Sequence, residues 1–179
     1  VDDEITFLTV PFYPEVGRQD PGVTNVFSAI SYLCYGKHNK VDLLELCGGE
    51  GRISQVAFRR GLTSGGNLDL VTGVDIGDPN TQRAIRHYVN TCDVLVIVLQ
   101  PNCRSTGRPS YFNATVHHDT WKSHHAEDLP HIKFCGAMAA LQMELHRFWL
   151  REQPVGNWID QIEPWKQITA DPTVCSASM

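Results

Sequence analysis

The stretch from Val41 to Arg52 constrains the fold of this chain more than any other. Its sequence is VDLLELCGGEGR, so an apolar run leads directly into a cluster of glycines. A buried strand that turns tightly into a helix needs this order, because glycine adopts positive φ without steric cost and lets a ligand approach the backbone. The helix then begins with unpaired N–H groups. The stretch therefore predicts either a nucleotide-type cofactor site or an ordinary strand-to-helix turn.

Strand and helix patterns alternate along the rest of the chain. Strands are predicted at 41–46, once or twice within 68–76, at Cys92–Leu99 and at Arg147–Glu152; helices are predicted at 52–61, 78–90 and 132–146. Such alternation indicates an α/β fold, with a mostly parallel sheet and helices on both faces. Residues 1–40 are predicted to be an N-terminal extension with a short strand and a helix, and residues 41–179 the α/β domain.

Charge and cysteine content narrow the classes of function. The net charge of −5 over 179 residues argues against nucleic-acid binding by the overall charge of the protein. It does not exclude a local basic surface. No apolar run approaches the length of a membrane span. The six cysteines form no C-x-x-C pair, which favours thiols in the nucleus or cytosol over a disulfide framework. The chain begins with Val, as expected of a processed product or an excised fragment.

Polar residues follow each predicted strand. These strand ends carry Glu45-Leu46-Cys47-Gly48, Asp75, Pro101-Asn102-Cys103 and Glu152-Gln153-Pro154. Because parallel strands end at one edge of a sheet, where ligands bind, we expect the four sites to share one rim. Asp75 at the end of the second strand would suit ribose hydroxyls, although Asp69 is the alternative if residues 68–76 hold two strands.

Together these segments resemble the DNA cytosine 5-methyltransferases. The matching segments are Asp42–Gly49, Gln100-Pro101-Asn102-Cys103 and Arg151-Glu152-Gln153-Pro154, and the resemblance covers about residues 41–179. It implies one Rossmann-like, methyltransferase-type domain. The chain departs from the family pattern at Asn102, where a proline or small residue is usual, and at Gln153, where asparagine is usual. It also lacks the family's target-recognition region and later strands.

The resemblance implies a role for each matching residue. Cys103 would be the nucleophile that adds to carbon 6 of cytosine, and Glu152 would contact ring nitrogen 3 and the exocyclic amine. A nearby cation, Arg104 or Arg108, would favour the thiolate. The target base would be flipped out of the helix. S-adenosylmethionine is the implied cofactor, at Glu45, Cys47, Gly48, Gly49, Gly51, Asp75 and Pro101.

The segment from Pro101 to Pro130 is predicted to be a long polar loop. It contains Arg104, Arg108 and Lys122, and these three residues are candidate contacts to the phosphates of DNA or another nucleic acid. Five histidines between residues 117 and 131 match no zinc motif, so no metal site is assigned, but they leave a metal-dependent hydrolase as one alternative. A catalytically inactive methyltransferase-like scaffold is another, and in either methyltransferase reading a partner protein would supply target recognition.

Overall fold

The computed structural model describes residues 40–177. The predicted strand over 5–10, the predicted helix over 23–35 and the last two residues therefore lie outside the described part. The chain divides into two compact units, the first ending at Val96 and the second beginning at Ile97. The division predicted at residue 40 falls at the edge of the described residues and stays a prediction.

Four parallel strands and the helices between them confirm the predicted α/β class. The strands are β1 (Lys40–Leu46), β2 (Ser64–Leu68), β3 (Asp93–Leu99) and β4 (Phe148–Arg151), in the order β2-β1-β3-β4. The chain first moves to one side of β1 and later returns to the other, as it does in doubly wound sheets. Since parallel crossovers are right-handed, the crossovers of opposite direction place their helices on opposite faces.

Two helices of the first unit follow the sequence closely. Helix α1 spans Arg52–Arg59, and α2 spans Pro79–Thr91. Asp78 caps α2, because its carboxylate accepts the Thr81 N–H at 2.7 Å, and Pro79 starts the helix with a preset φ. That hydrogen bond lowers the pKa of Asp78. The buried face of α2 has the helical spacing that the sequence predicted; its members are Thr81, Ala84, Ile85, Tyr88 and Val89.

Strand β2 lies where a loop was predicted at 63–67, and the strand predicted over 68–76 is wrong. Leu70–Thr72 is instead a short 3-10 helix. β2 reads SGGNL, with glycines that normally oppose strand formation. A Cβ on Gly65 would lie 2.7 Å from the Tyr88 hydroxyl, so only glycine allows β2 this close to its neighbours. A bulge follows, with Gly66 at φ +87°, and it brings Asn67 opposite Glu45.

Strand β3 is only partly the buried central strand that its apolar sequence predicts. Its last three residues, Ile97–Leu99, are buried, but Asp93 and Leu95 near its start are exposed. Burial on both faces therefore applies to the carboxyl end alone. Strand β4 confirms the fourth predicted strand, and it alternates between exposed and half-buried side chains.

The second unit is mainly helical, so the loop predicted over 101–130 is wrong. It contains α3 (Ser110–Val116), α4 (His118–Glu144) and α5 (Trp165–Thr169). The predicted helix at 132–146 is the second half of α4, which continues through Pro130. The core of this unit is built around Trp165, whose indole N–H donates to the Ile132 carbonyl at 2.9 Å. No helix within residues 40–177 combines the length and apolar character needed to cross a bilayer.

Gly136 lets α4 pack against the segment that carries Trp165. A Cβ at this position would lie 2.8 Å from Pro164 Cγ and 3.2 Å from the Trp165 ring. We expect Gly136→Ala to lower the free energy of unfolding by about 1–3 kcal/mol, because overpacking outweighs the gain in helix propensity. Urea denaturation measures the change.

Thr120→Ala, on the exposed part of the same helix, is the control and should leave the midpoint almost unchanged. Equal stability of Gly136→Ala and the wild type would contradict this packing.

Candidate functional site

The first candidate site is the glycine turn, residues 47–51, which joins β1 to α1. Cys47, Gly49 and Gly51 have φ of +59°, +56° and +66°, so the backbone bends through the left-handed region three times. A non-glycine residue seldom adopts this conformation, and Cys47 does so at the end of a buried strand. The turn thus confirms the tight strand-to-helix connection that the sequence predicts.

A buried carboxylate lies beneath this turn. Glu45 is fully buried in β1, and its Oε2 accepts the Ser54 N–H at 2.9 Å and the Ser54 hydroxyl at 2.7 Å. Gly51, the N-cap of α1, has no side chain to offer, so Glu45 does the work of the capping residue from the neighbouring strand. A negative charge at a helix N-terminus is also favoured by the helix dipole.

The other oxygen of Glu45 has no hydrogen-bond partner among the described residues, although it is buried. It lies against Gly48, where a Cβ would come within 2.3 Å of it. An unpaired buried acceptor is costly, so such atoms are uncommon in folded proteins. Glu45 Oε1 is therefore a buried acceptor for which the described residues supply no donor.

Asn67 and Asp69 brace the turn from the end of β2. The Asn67 side chain accepts the Gly48 N–H at 3.0 Å and donates to the Gly49 carbonyl at 2.7 Å. Asp69 Oδ2 accepts the Gly49 N–H at 3.1 Å. The sequence did not mark Asn67 as a site residue, because it falls at the end of the predicted loop at 63–67, two residues before Asp69. Asn67 and Asp69 thus occupy the backbone N–H groups of Gly48 and Gly49, which would otherwise be open to a ligand.

Asp69, and not Asp75, is the acidic residue directly after the second strand. Asp69 also caps the short 3-10 helix, where its Oδ1 accepts the Val71 N–H at 2.9 Å. Asp75 lies further along the chain, where its carboxylate accepts the Gly77 N–H at 2.8 Å. The strand-end position that motivated Asp75 as the ribose contact therefore belongs to Asp69.

The second candidate site is the cysteine loop, residues 100–107, which follows β3. The Cys103 carbonyl accepts N–H groups from Thr106 at 3.2 Å and Gly107 at 2.7 Å, which closes a tight turn. A Cβ on Gly107 would collide with that carbonyl at 2.8 Å. Ser105 and Thr106 are fully buried, whereas the Cys103 side chain is half-buried. The loop thus keeps Cys103 near the surface of a rigid turn.

Three aromatic residues contact the buried part of this loop, two through their rings and one through its backbone. The Trp121 indole N–H donates to the Ser105 carbonyl at 3.1 Å, and the Trp158 backbone N–H donates to the Thr106 carbonyl at 3.1 Å. His125 stacks on Trp121, with ring centroids 5.1 Å apart, and its Nδ1 lies 3.4 Å from the Ser105 hydroxyl. Histidines that the sequence assigned to a loop are therefore helical, and one of them packs against the cysteine loop.

Gln153 joins the ends of β3 and β4. Its amide donates to the Pro101 carbonyl at 2.6 Å and accepts from the Asn157 side chain. The Glu152 N–H donates to the Leu99 carbonyl at 3.1 Å. The segments that carry Cys103 and Glu152 therefore lie side by side, and Glu152 itself is exposed. The prediction that all four polar strand ends share one rim is supported for this pair and otherwise stays a prediction.

The Arg104 guanidinium is bound by two carboxylates, although its side chain is 39% exposed, so it is less available for the predicted phosphate contact. Its guanidinium pairs with Asp128 at 2.8 Å and with Glu127 at 2.9 Å. Hydrogen bonding to Asp128 raises the pKa of Arg104, and the Arg104 hydrogen bond lowers the pKa of Glu127. Asn102 also donates to Asp128, at 3.3 Å. Arg108 and Lys122, the other two candidates, are exposed and form no ion pair within residues 40–177.

The described residues contain neither a metal-binding cluster nor a disulfide bond. No group of three or more His, Cys, Asp or Glu side chains between residues 40 and 177 is arranged to hold a metal ion. The five cysteines in that range form no disulfide. The hydrolase alternative therefore gains no support from this part of the chain.

The chain matches no protein-family model, no curated protein and no solved structure. The resemblance to cytosine methyltransferases therefore rests on the residues of this sequence alone.

The ion pair between Arg104 and Asp128 makes a specific prediction. Asp128 is 2% exposed, and its Oδ2 already has no hydrogen-bond partner among the described residues. Arg104→Ala therefore leaves a buried carboxylate without its cation. We expect a loss of about 2–4 kcal/mol in unfolding free energy, because an uncompensated buried charge is strongly destabilising. Chemical denaturation of the single variants and the double variant measures it.

The double variant Arg104→Ala/Asp128→Asn is the matched control. It should recover part of that loss, since no unpaired charge remains. Additive losses in the double variant would show that the pair contributes nothing.

Proposed function

We propose that the protein is an S-adenosylmethionine-dependent methyltransferase that modifies cytosine in nucleic acid. The observation that carries the proposal is the chemistry of the glycine turn, where buried Glu45 keeps an unpartnered oxygen against Gly48. The resemblance in sequence and the confirmed α/β fold support it independently.

The hydrogen bonds of the turn disfavour a phosphate-containing cofactor. Phosphate sites at helix N-termini need open N–H donors, and here the donors of Gly48, Gly49 and Ser54 are already bound to side-chain oxygens. Glu45 and Asp69 also make the surroundings acidic, whereas Glu50 pairs with Arg52 on the exposed side of the turn. Such a turn suits a ligand with positive charge and hydroxyl groups and without phosphate.

S-adenosylmethionine fits this description better than a dinucleotide or ATP does. It carries a sulfonium, an ammonium group and ribose hydroxyls, and it would supply an electrophilic methyl group. Glu45 Oε1 is buried directly beneath Gly48, so it would attract a cationic group of the cofactor by its charge, while Asp69, or Asp75 as the sequence predicts, would accept ribose hydroxyls. A carboxylate has about four acceptor sites, so the existing bonds of Asp69 leave room for more.

The cysteine loop would act on the base. Cys103 Sγ would form a bond to carbon 6 of cytosine as a thiolate, and the electron pair of the C5–C6 bond would move to make carbon 5 nucleophilic. Glu152, from the adjacent segment, would stabilise the ring at nitrogen 3. With Arg104 committed to Asp128, Arg108 is the cation left to favour the thiolate.

Titration calorimetry tests the cofactor. The wild-type protein should bind S-adenosylmethionine with saturation below about 1 mM, and ATP and NAD should give no heat at that concentration. Glu45→Gln should weaken binding about tenfold or more, because it keeps the shape of the side chain and removes the charge. Glu50→Gln, the same change on the exposed side of the turn, is the matched control and should bind normally.

Tight binding of ATP in preference to S-adenosylmethionine would overturn the proposed cofactor. If the wild-type protein binds no S-adenosylmethionine at millimolar concentration, the inactive-scaffold alternative is favoured.

Covalent trapping tests the nucleophile. An oligonucleotide with a mechanism-based cytosine analogue should form a denaturation-resistant adduct with the wild-type protein in the presence of cofactor, detectable by mass spectrometry. Cys103→Ser should abolish it, because the serine hydroxyl is a far weaker nucleophile at neutral pH. Cys175→Ser removes an exposed thiol and should leave the adduct yield unchanged. An undiminished yield from Cys103→Ser would assign the adduct to another residue.

A further inference from the structure

Helix α3 exposes large apolar side chains directly after the cysteine loop. Tyr111 is 57% exposed, Phe112 65% and Val116 54%, and we call these three residues the aromatic face. Phe112 and Val116 are one helical turn apart, and Tyr111 lies next to Phe112. Large apolar side chains grouped in this way on a protein surface mark interaction sites.

Short backbone contacts tie the aromatic face to the cysteine loop. The Ser110 N–H, at the start of α3, donates to the Gly107 carbonyl at 2.9 Å, and Gly107 in turn donates to the Cys103 carbonyl at 2.7 Å. The helix therefore begins from the same tight turn that presents Cys103. A ligand that lies along α3 would continue toward that turn.

Two unpaired basic residues belong to the segment that carries this face, although the chain as a whole has a net charge of −5. Residues 101–130 contain three basic and three acidic residues, and two of the acids, Glu127 and Asp128, pair with Arg104. Arg104 is neutralised by its two carboxylates, but Arg108 and Lys122 form no ion pair in the described part of the chain. Arg108 lies in the turn that leads into α3, three residues before Tyr111, whose N–H donates to the Arg108 carbonyl at 3.4 Å.

We propose that the aromatic face, with Arg108 beside it, binds single-stranded nucleic acid by stacking its bases on Tyr111 and Phe112. Every base has a π-face, so exposed rings next to a cation form a sequence-tolerant platform for an unpaired strand. The bases of a duplex are stacked on each other and cannot reach rings on a convex helix. The inference rests on the proposed function in one respect: it makes a single strand, and not a duplex, the substrate presented to Cys103.

Fluorescence anisotropy of the whole protein with labelled 12-nucleotide strands tests the binding. A mixed-sequence single strand should bind at least tenfold more tightly than the duplex of the same sequence in 50 mM salt. Tyr111→Ala and Phe112→Ala should each weaken single-strand binding about tenfold. Arg108→Ala should reduce the slope of log K against log salt by about 0.7, the value for one phosphate contact on a single strand.

Phe148→Ala and Leu150→Ala are the matched controls. Both side chains are exposed apolar groups on β4, at 63% and 54%, and their removal should leave the affinity unchanged. All four aromatic-face and control positions are exposed, so their truncation should preserve the fold, and circular dichroism checks this.

Three results would overturn the inference. They are equal affinity for single strand and duplex, normal affinity in both aromatic variants, and a wild-type dimer in sedimentation experiments that Tyr111→Ala and Phe112→Ala dissociate. The last would make the face a contact between copies of this chain. S-adenosylmethionine titration of the same variants separates the two proposals: normal cofactor binding with no strand binding overturns only this inference, and the reverse result overturns only the proposed cofactor.

Discussion

The Glu45 carboxylate, buried at the end of β1, is the interaction on which the first unit depends. It binds both the backbone and the side chain of Ser54, so it fixes the start of α1 relative to the strand before it. That contact requires the backbone to pass directly over the carboxylate, which explains Gly48, where any side chain would collide with Glu45. The left-handed turn, the absence of a capping side chain at Gly51 and the path of α1 follow from this single buried group.

The cysteine loop is built by a different principle. Its buried polar backbone is satisfied from outside, by Trp121 and Trp158, while its charged residue Arg104 turns inward to Asp128. A loop held at both its carbonyls and its guanidinium has little freedom, so Cys103 is presented in a fixed position. Because Arg104 pairs with Glu127 and Asp128, Arg108, directly after this loop, is the basic residue nearest to Cys103 in sequence that has no ion pair in the described part of the chain.

The sequence predicted those elements whose signals are local. The glycine turn, the Asp78-Pro79 helix start and the apolar end of β3 each follow from neighbouring residues, and all three are confirmed. β2 was missed because its two glycines are explained only by the close approach of Tyr88 and β1, a contact distant in sequence.

Helices α3 and α4 were partly missed for a related reason. Between residues 110 and 127 the chain has no apolar periodicity, because most of these side chains are exposed and Trp121 and His125 make the main contacts to the cysteine loop. A polar, histidine-rich segment then resembles a loop. The sequence also did not predict the residues that brace the candidate sites. Asn67 contacts the glycine turn because of the bulge at Gly66, and Asp128 contacts Arg104 because residues 118–144 are helical.

In our proposal, the turn above Glu45 receives a positively charged cofactor without phosphate. Amide NMR of the ¹⁵N-labelled protein during addition of S-adenosylmethionine tests it most directly, because the turn supplies its own reporters. We expect saturable shifts centred on the amides of Gly48, Gly49 and Ser54, which are bound to side-chain oxygens at this turn. Saturable shifts confined to other parts of the molecule, or an unchanged spectrum at millimolar cofactor, would contradict it.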